Sequence, residues 1–278
     1  MVFNAFLLVF WIRIWTTGDS RLFFNPHIAP INRFSESVLT FFWPVFRRTP
    51  SKVVATIIVV ALLALRGLAV PESVSWGLSV GFEHQLCPQS LACHMIFSVL
   101  SFVIFLFKVW GFCLIYARIT SVPFDHAGGT LRYLSLPFSD VKVELRPLAL
   151  AVFGMGLAFL LNVRCSSSQG WSFLPDSTVP VLFLRYFISA FACWASVLPV
   201  LAVIIVILVA GSWLSLFSAS SRLAFFCHEW LDMLLGPLRN YPIRIGMLDL
   251  TPLVLIFAIQ WLYPFLFRML SVSYGRLI

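Results

Sequence analysis

Long apolar runs separated by short polar segments dominate this chain, and the runs are continuous where a barrel strand would alternate residue by residue. A helix of about 17 to 25 apolar residues is long enough to cross a bilayer. Reading for that length predicts spans at Val2–Thr16, Val53–Val70, Met95–Tyr116, Leu148–Val163, Phe187–Leu216 and Leu253–Leu270. The first and fourth are short, and the fifth is long with Pro199 inside it. Unpaired backbone groups cost several kcal/mol in lipid, so each span must close its own hydrogen bonds as a helix. The expected fold is all-α: a polytopic helical membrane protein of about six transmembrane helices, with two amphipathic helical hairpins in the membrane interface. The first span is read as a permanent helix and not a cleaved leader, because it lacks a positive leading region and a small-residue cleavage site, and Arg13 interrupts it.

A different periodicity appears twice, in front of two of the spans. In the first copy Ile31, Phe34, Val38, Phe41, Phe42 and Val45 recur every three or four residues, while Asn32, Arg33, Ser35, Glu36 and Thr40 take the other side. In the second, Leu223, Phe226, Trp230, Leu231 and Leu234 oppose Arg222, Glu229 and Asp232. A shift of 193 positions lays Glu36 on Glu229 and Pro44 on Pro237, as in a duplicated unit with extra material between the copies. Each stretch is expected to lie flat with its apolar face in the membrane, closed by its proline, with the following arginines Arg47, Arg48 and Arg239 at headgroup depth. The implied organisation is a first unit over 1–70, an inserted region over 71–178 with a loop at 117–147, and a second unit over 179–278.

Composition agrees: 60% hydrophobic and 11% charged residues, with a mean hydropathy of +0.97, exclude an ordinary soluble domain. The net charge of +8 is distributed by topology and not massed on one face, which argues against direct nucleic-acid binding. With six spans, loops 17–52, 117–147 and 217–250 hold most arginines and lysines, so these loops are expected inside and both termini outside. Two short helices hinged at Pro199 would make the count odd and place the second hairpin outside, the inverted arrangement of many transporters.

Certain strings resemble a known family. Trp11-Ile12-Arg13-Ile14-Trp15, Phe24-Asn25-Pro26 and Pro44 to Pro50 are similar to the first unit of the YggT (YlmG) family. Asp232 to Arg239, followed by Gly246-Met247-Leu248-Asp249-Leu250-Thr251-Pro252, resembles the second unit more closely. The first copy lacks the Gly-x-x-Asp-x-[Ser/Thr]-Pro segment, Asn240 replaces an arginine, and the two spans between the copies are foreign to a four-helix family member. The resemblance implies a bacterial cytoplasmic (inner) membrane protein of the scaffold or assembly-factor kind, linked to division, envelope organisation or membrane-complex biogenesis. From the residues themselves, Asp249 or Thr251 reads as a helix N-cap with Pro252 in the first turn.

Carboxylates, the usual ligands of a cation or proton path, all fall outside the predicted spans. Buried positive charges are few: Arg13 and Arg66 lie near span ends where they can snorkel, and Lys108 lies deeper, where a lysine costs roughly 2.5 to 3.5 kcal/mol on insertion scales. Cys87 and Cys93, with His84 and His94, suggest either a disulfide on the outer side (Cys87 to Cys93, or one of them to Cys165), free thiols, or a soft-metal site without recognised zinc spacing. Asp125-His126-Ala127-Gly128-Gly129 reads as a turn, with Leu131–Leu134 and Asp140–Leu145 as flanking strands. No nucleotide, dinucleotide or metalloprotease motif is present, so neither catalytic residues nor a cofactor is expected. The expected role is a non-catalytic scaffold in which Arg47, Arg48 and Arg239 meet anionic lipid headgroups or a membrane-protein partner, oriented by Glu36, Glu229 and Asp232. A subunit of a larger complex and a small-solute or ion transporter are the alternatives.

Overall fold

The structure, a computed structural model, describes residues 2–16, 28–46, 49–69, 77–86, 90–119, 134–135, 141–142, 144–162, 164–166, 170–172, 179–217, 221–236, 238, 241–245 and 248–277. Helices α1 (Val2–Thr16), α2 (Ile28–Phe46) and α3 (Ser51–Leu68) open the chain, followed by the hairpin β1 (Gly77–Val80) and β2 (Glu83–Leu86). Then come α4 (Leu91–Ile119), α5 (Arg146–Asn162), the short pair β3 (Arg164–Ser166) and β4 (Gly170–Ser172), and α6 (Val179–Ala195) with α7 (Leu198–Phe217). The chain closes with α8 (Ser221–Leu235), the two-residue strands β5 (Arg244–Ile245) and β6 (Leu248–Asp249), and α9 (Thr251–Gly275). All three strand pairs are antiparallel and small, so the fold is all-α.

Among the described residues, four helical stretches are long and apolar enough to cross a membrane: Ser51–Leu68, Leu91–Leu114, Val179–Trp213 and Thr251–Gly275. Phe3–Thr16 and Arg146–Leu161 are shorter apolar helices. The stretch through α6 and α7 bends without turning back. Ser196 N–H donates to the Ala192 carbonyl at 3.1 Å and Val197 N–H to the Trp194 carbonyl at 2.9 Å, tightening the last turn before Pro199, which has no N–H to give. The two helices follow end to end with little lateral contact, and α9 lies along both. A pair of short helices folded back at Pro199 is therefore not what forms.

Burial divides into two apolar cores. One joins α1, α3, α4, α5, α6 and β1 through residues such as Leu7, Val59, Val80, Phe107 and Leu157. The other joins α7, α8, α9 and the far end of α4 through Cys113, Ile205, Cys227, Leu231 and Ile256. Because α4 belongs to both, the region between the chain ends is built into the bundle. The two ends present the same order of elements: in α1-α2-α3 and in α7-α8-α9, the outer two helices pack together and the middle one packs on the first. Residues 141–142 and 144–145 form bends and turns leading into α5, with Leu145 N–H bonded to the Lys142 carbonyl at 2.9 Å, so the strand expected over Asp140–Leu145 is absent there.

Candidate functional site

The two amphipathic helices carry the residues that the sequence singles out, and each turns one side to the bundle. In α2 the buried stripe is Ile28, Asn32, Ser35 and Leu39, four positions at helical spacing. Asn32 is a polar residue turned inward because α1 offers it a partner: the Thr16 hydroxyl donates to Asn32 Oδ1 at 3.3 Å, and both residues are almost fully buried. Phe34, Phe41 and Phe42, on the apolar face expected to lie in the membrane, are open on the outer side, Phe41 at 79% exposure. Protein covers the polar stripe, and the apolar face is left for lipid or a partner. The helix also runs through Pro44 to Phe46, so proline does not close it.

Arg13 does not snorkel. It is buried at 7% exposure, and its guanidinium donates to Glu36 Oε1 at 3.0 Å, fixing α2 against α1. That contact occupies Glu36, the carboxylate expected to orient Arg47 and Arg48. Those two arginines lie outside the described residues, as do Arg239 and Cys87. Arg66 does not snorkel either: it donates to Asn4 Oδ1 at 2.8 Å and to the Ser101 hydroxyl at 2.7 Å, tying α1, α3 and α4 together.

Helix α8 buries Cys227, Leu231 and Leu234 against α7 and leaves Phe225 and Phe226 exposed. The approach is close: a Cβ at Gly211 would stand 2.7 Å from Cys227 Sγ, so any side chain there pushes on the Cys227 thiol. Burial pushes the Cys227 thiol above its ordinary value. Glu229 and Asp232 are half-buried and engaged in contacts of their own. The helix ends at Leu235, ahead of Pro237, with Gly236 in the left-handed region at φ 47°.

The start of α9 follows the expected motif with a change of roles. Leu250, not Asp249 or Thr251, occupies the N-cap position, with proline in the first turn at Pro252. Asp249 Oδ1 accepts the Thr251 N–H at 2.9 Å from one residue further back, and Thr251 Oγ1 accepts the Ile243 N–H at 3.0 Å. Aspartate and threonine thus bind the preceding turn to the helix as one unit.

A cluster that sequence reasoning passed over joins the first hairpin to the C-terminal helices. Glu83, only 5% exposed, accepts from Arg185 of α6 at 2.7 Å (Nε to Oε1) and 3.0 Å (NH2 to Oε2), and the Tyr274 hydroxyl of α9 donates to Oε1 at 2.8 Å. Phe82 lies beside Tyr274 with ring centroids 5.0 Å apart and planes tilted by 33°. Glu83 is one of the carboxylates outside the predicted spans, and a fifth span that begins at Phe187 leaves Arg185 outside it. Beginning α6 at Val179 puts that arginine two turns inside an apolar helix, which is the signal that points to a partner. The hairpin tip is seated by Gly81, whose φ is 61° and whose Cβ position would lie 2.1 Å from the Ser189 carbonyl oxygen. Lys108 lies half-buried in α4, and Cys93 bonds to no other described cysteine.

Residues 179–270, from the start of α6 to near the end of α9, match the CCB3/YggT family. The matched part contains α7, α8, Asp249, Thr251 and Arg185. No curated protein and no solved structure matches the chain.

Proposed function

We propose that the chain, with its CCB3/YggT segment over residues 179–270, is a non-catalytic scaffold or assembly factor of the bacterial inner membrane. One observation supports this reading above the others. Two amphipathic helices are each fastened to a neighbouring apolar helix by buried contacts, and each holds a pair of aromatic residues outward: Phe41 and Phe42 on α2, Phe225 and Phe226 on α8. A helix held this way is a rigid ledge, and rigid apolar anchors flanked by positive charge suit an interfacial contact with lipid and with a partner membrane protein.

In this reading the two ends are copies of one unit, spans are α1, α3, α4, α5, the joined α6 and α7, and α9, and both ledges face the cytoplasm with both termini outside. Arg47, Arg48 and Arg239 then follow the ledges at headgroup depth. The test is gentle detergent extraction and mass spectrometry of what travels with the protein, comparing wild type with a triple variant in which Arg47, Arg48 and Arg239 become Gln. Loss of a partner protein or of bound anionic lipid, with membrane insertion unchanged, is the expected outcome. Full retention of the same companions contradicts the reading.

A second reading, a fixed subunit of a larger complex, is favoured by α9, where Phe257, Trp261 and Phe265 form a stripe along the outer side with Trp261 87% exposed. The same extraction separates the two: a subunit leaves the membrane at constant stoichiometry with its complex.

A further inference from the structure

Helix α9 is long and apolar enough to cross the membrane, and only one of its sides is covered. Ile256, Ile259 and Tyr274 are buried where it packs on α6 and α7, and the opposite side is open among the described residues. Most of the open positions are apolar, as lipid requires. Gln260 is the exception at depth: in a helix of 25 residues that begins at Thr251, a rise of 1.5 Å per residue puts it about 5 Å from the helix midpoint. Its side chain is exposed there and makes no hydrogen bond with another described residue. Pro264 adds a second polar group at the same level. Having no N–H, it leaves unserved the carbonyl four residues earlier, which is that of Gln260.

Lipid tails offer neither donor nor acceptor, so both groups are costly until a neighbouring helix satisfies them. A carboxamide donates and accepts at once, and is therefore its own complement. Two copies of one membrane protein share orientation and depth, so a two-fold axis along the membrane normal brings the Gln260 of one copy to the level of the Gln260 of the other. Each carboxamide can then donate one hydrogen to its counterpart and one to the carbonyl freed by Pro264. The spacing of exposed residues agrees: Phe257, Gln260, Pro264 and Ser271 follow one another at steps of three, four and seven, the seam of two helices in parallel contact. Ser271 is small enough for close approach, and its hydroxyl is likewise self-complementary. Arg268 stands beside this seam, seven residues before Gly275, and its long stem carries the charge to headgroup depth.

We propose that α9 is a self-association surface: two copies of the chain pair in parallel along Phe257, Gln260, Pro264 and Ser271, with their Gln260 carboxamides hydrogen-bonded across a two-fold axis. The interface requires α9 to cross the membrane and does not involve the ledges. Trp261 and Phe265, further round the helix, stay free for other contacts.

The test is energy transfer between donor-labelled and acceptor-labelled copies of the full chain in phosphatidylcholine–phosphatidylglycerol vesicles, followed as the protein is diluted with lipid. Wild type is expected to transfer above the level of random encounter. Gln260→Leu should need on the order of tenfold more protein per lipid for the same transfer, and Gln260→Asn, which keeps the carboxamide, should need less than Gln260→Leu. Because Gln260 is exposed, Gln260→Leu should leave the thermal midpoint in detergent unchanged, which separates loss of pairing from loss of fold. With the native cysteines replaced, Ser271→Cys should cross-link to its counterpart under mild oxidation, whereas Ala258→Cys, exposed on a different face of α9, should not. Random-level transfer in wild type, equal transfer in wild type and Gln260→Leu, or cross-linking at Ala258→Cys no weaker than at Ser271→Cys overturns the proposal.

Discussion

Arg185 grips both oxygens of Glu83, at 2.7 and 3.0 Å, although the two residues stand 102 positions apart. The pair fastens a hairpin from the middle of the chain to the segment that matches CCB3/YggT, and Tyr274 completes it from the last helix. Removing one member leaves the other charge buried without its partner, which costs about 3 to 5 kcal/mol. Glu83→Ala and Arg185→Ala should each destabilise the protein by about 3 kcal/mol in detergent-based unfolding, and the double variant should be far less than additive. Additive losses would mean that the pair does not couple the two regions.

Gly81 makes the same junction possible through its backbone. Any side chain at this position meets the Ser189 carbonyl and must adopt a left-handed conformation at φ 61°. Gly81→Ala should cost about 2 kcal/mol or more, whereas Ser79→Ala, exposed on the same hairpin, should be near neutral. Thermal unfolding of the two variants side by side checks this.

The orientation of α2 yields a contrast. Asn32→Ala removes a buried acceptor from Thr16 and should cost about 1 to 2 kcal/mol, while Phe41→Ala, on the open side, should change stability in detergent by less than about 0.5 kcal/mol. If the apolar stripe were the side packed on the bundle, the order would reverse.

Cys227 reports the contact between α7 and α8. Its thiol is raised by burial, so the folded chain keeps it protonated where the unfolded chain, with an ordinary thiol near about 8.5, already ionises. The stability tied to this group is whole below the ordinary thiol range and is lost as pH rises through the folded value. Maleimide labelling of Cys227 should be slow at pH 8. Gly211→Leu, which forces the helices apart, should accelerate it on the order of tenfold. An unchanged rate would show that Gly211 does not set the spacing.

Periodicity and length made the helices legible, since continuous apolar runs in lipid have few alternatives to a helix. The amphipathic stretches were legible as elements, but not the packing of the polar side of α2 on the bundle. Asn32 and Ser35 look solvent-facing by polarity, and the inward position of Asn32 depends on Thr16, which lies 16 positions away on another helix. The same limit hid the junction of Glu83, Arg185 and Tyr274, whose members are scattered over three elements with no local spacing to betray them. By contrast the motif from Asp249 to Pro252 is local, so its capping role was readable to within one residue.

Sidedness of the two ledges is the claim on which the functional account stands. In a background lacking the native cysteines, Arg33→Cys and His228→Cys place single thiols at exposed positions on the polar sides of α2 and α8. Membrane-impermeant maleimide applied to sealed vesicles of known orientation should label both from the cytoplasmic face and neither from the other. Labelling of the two positions from opposite faces would contradict the account.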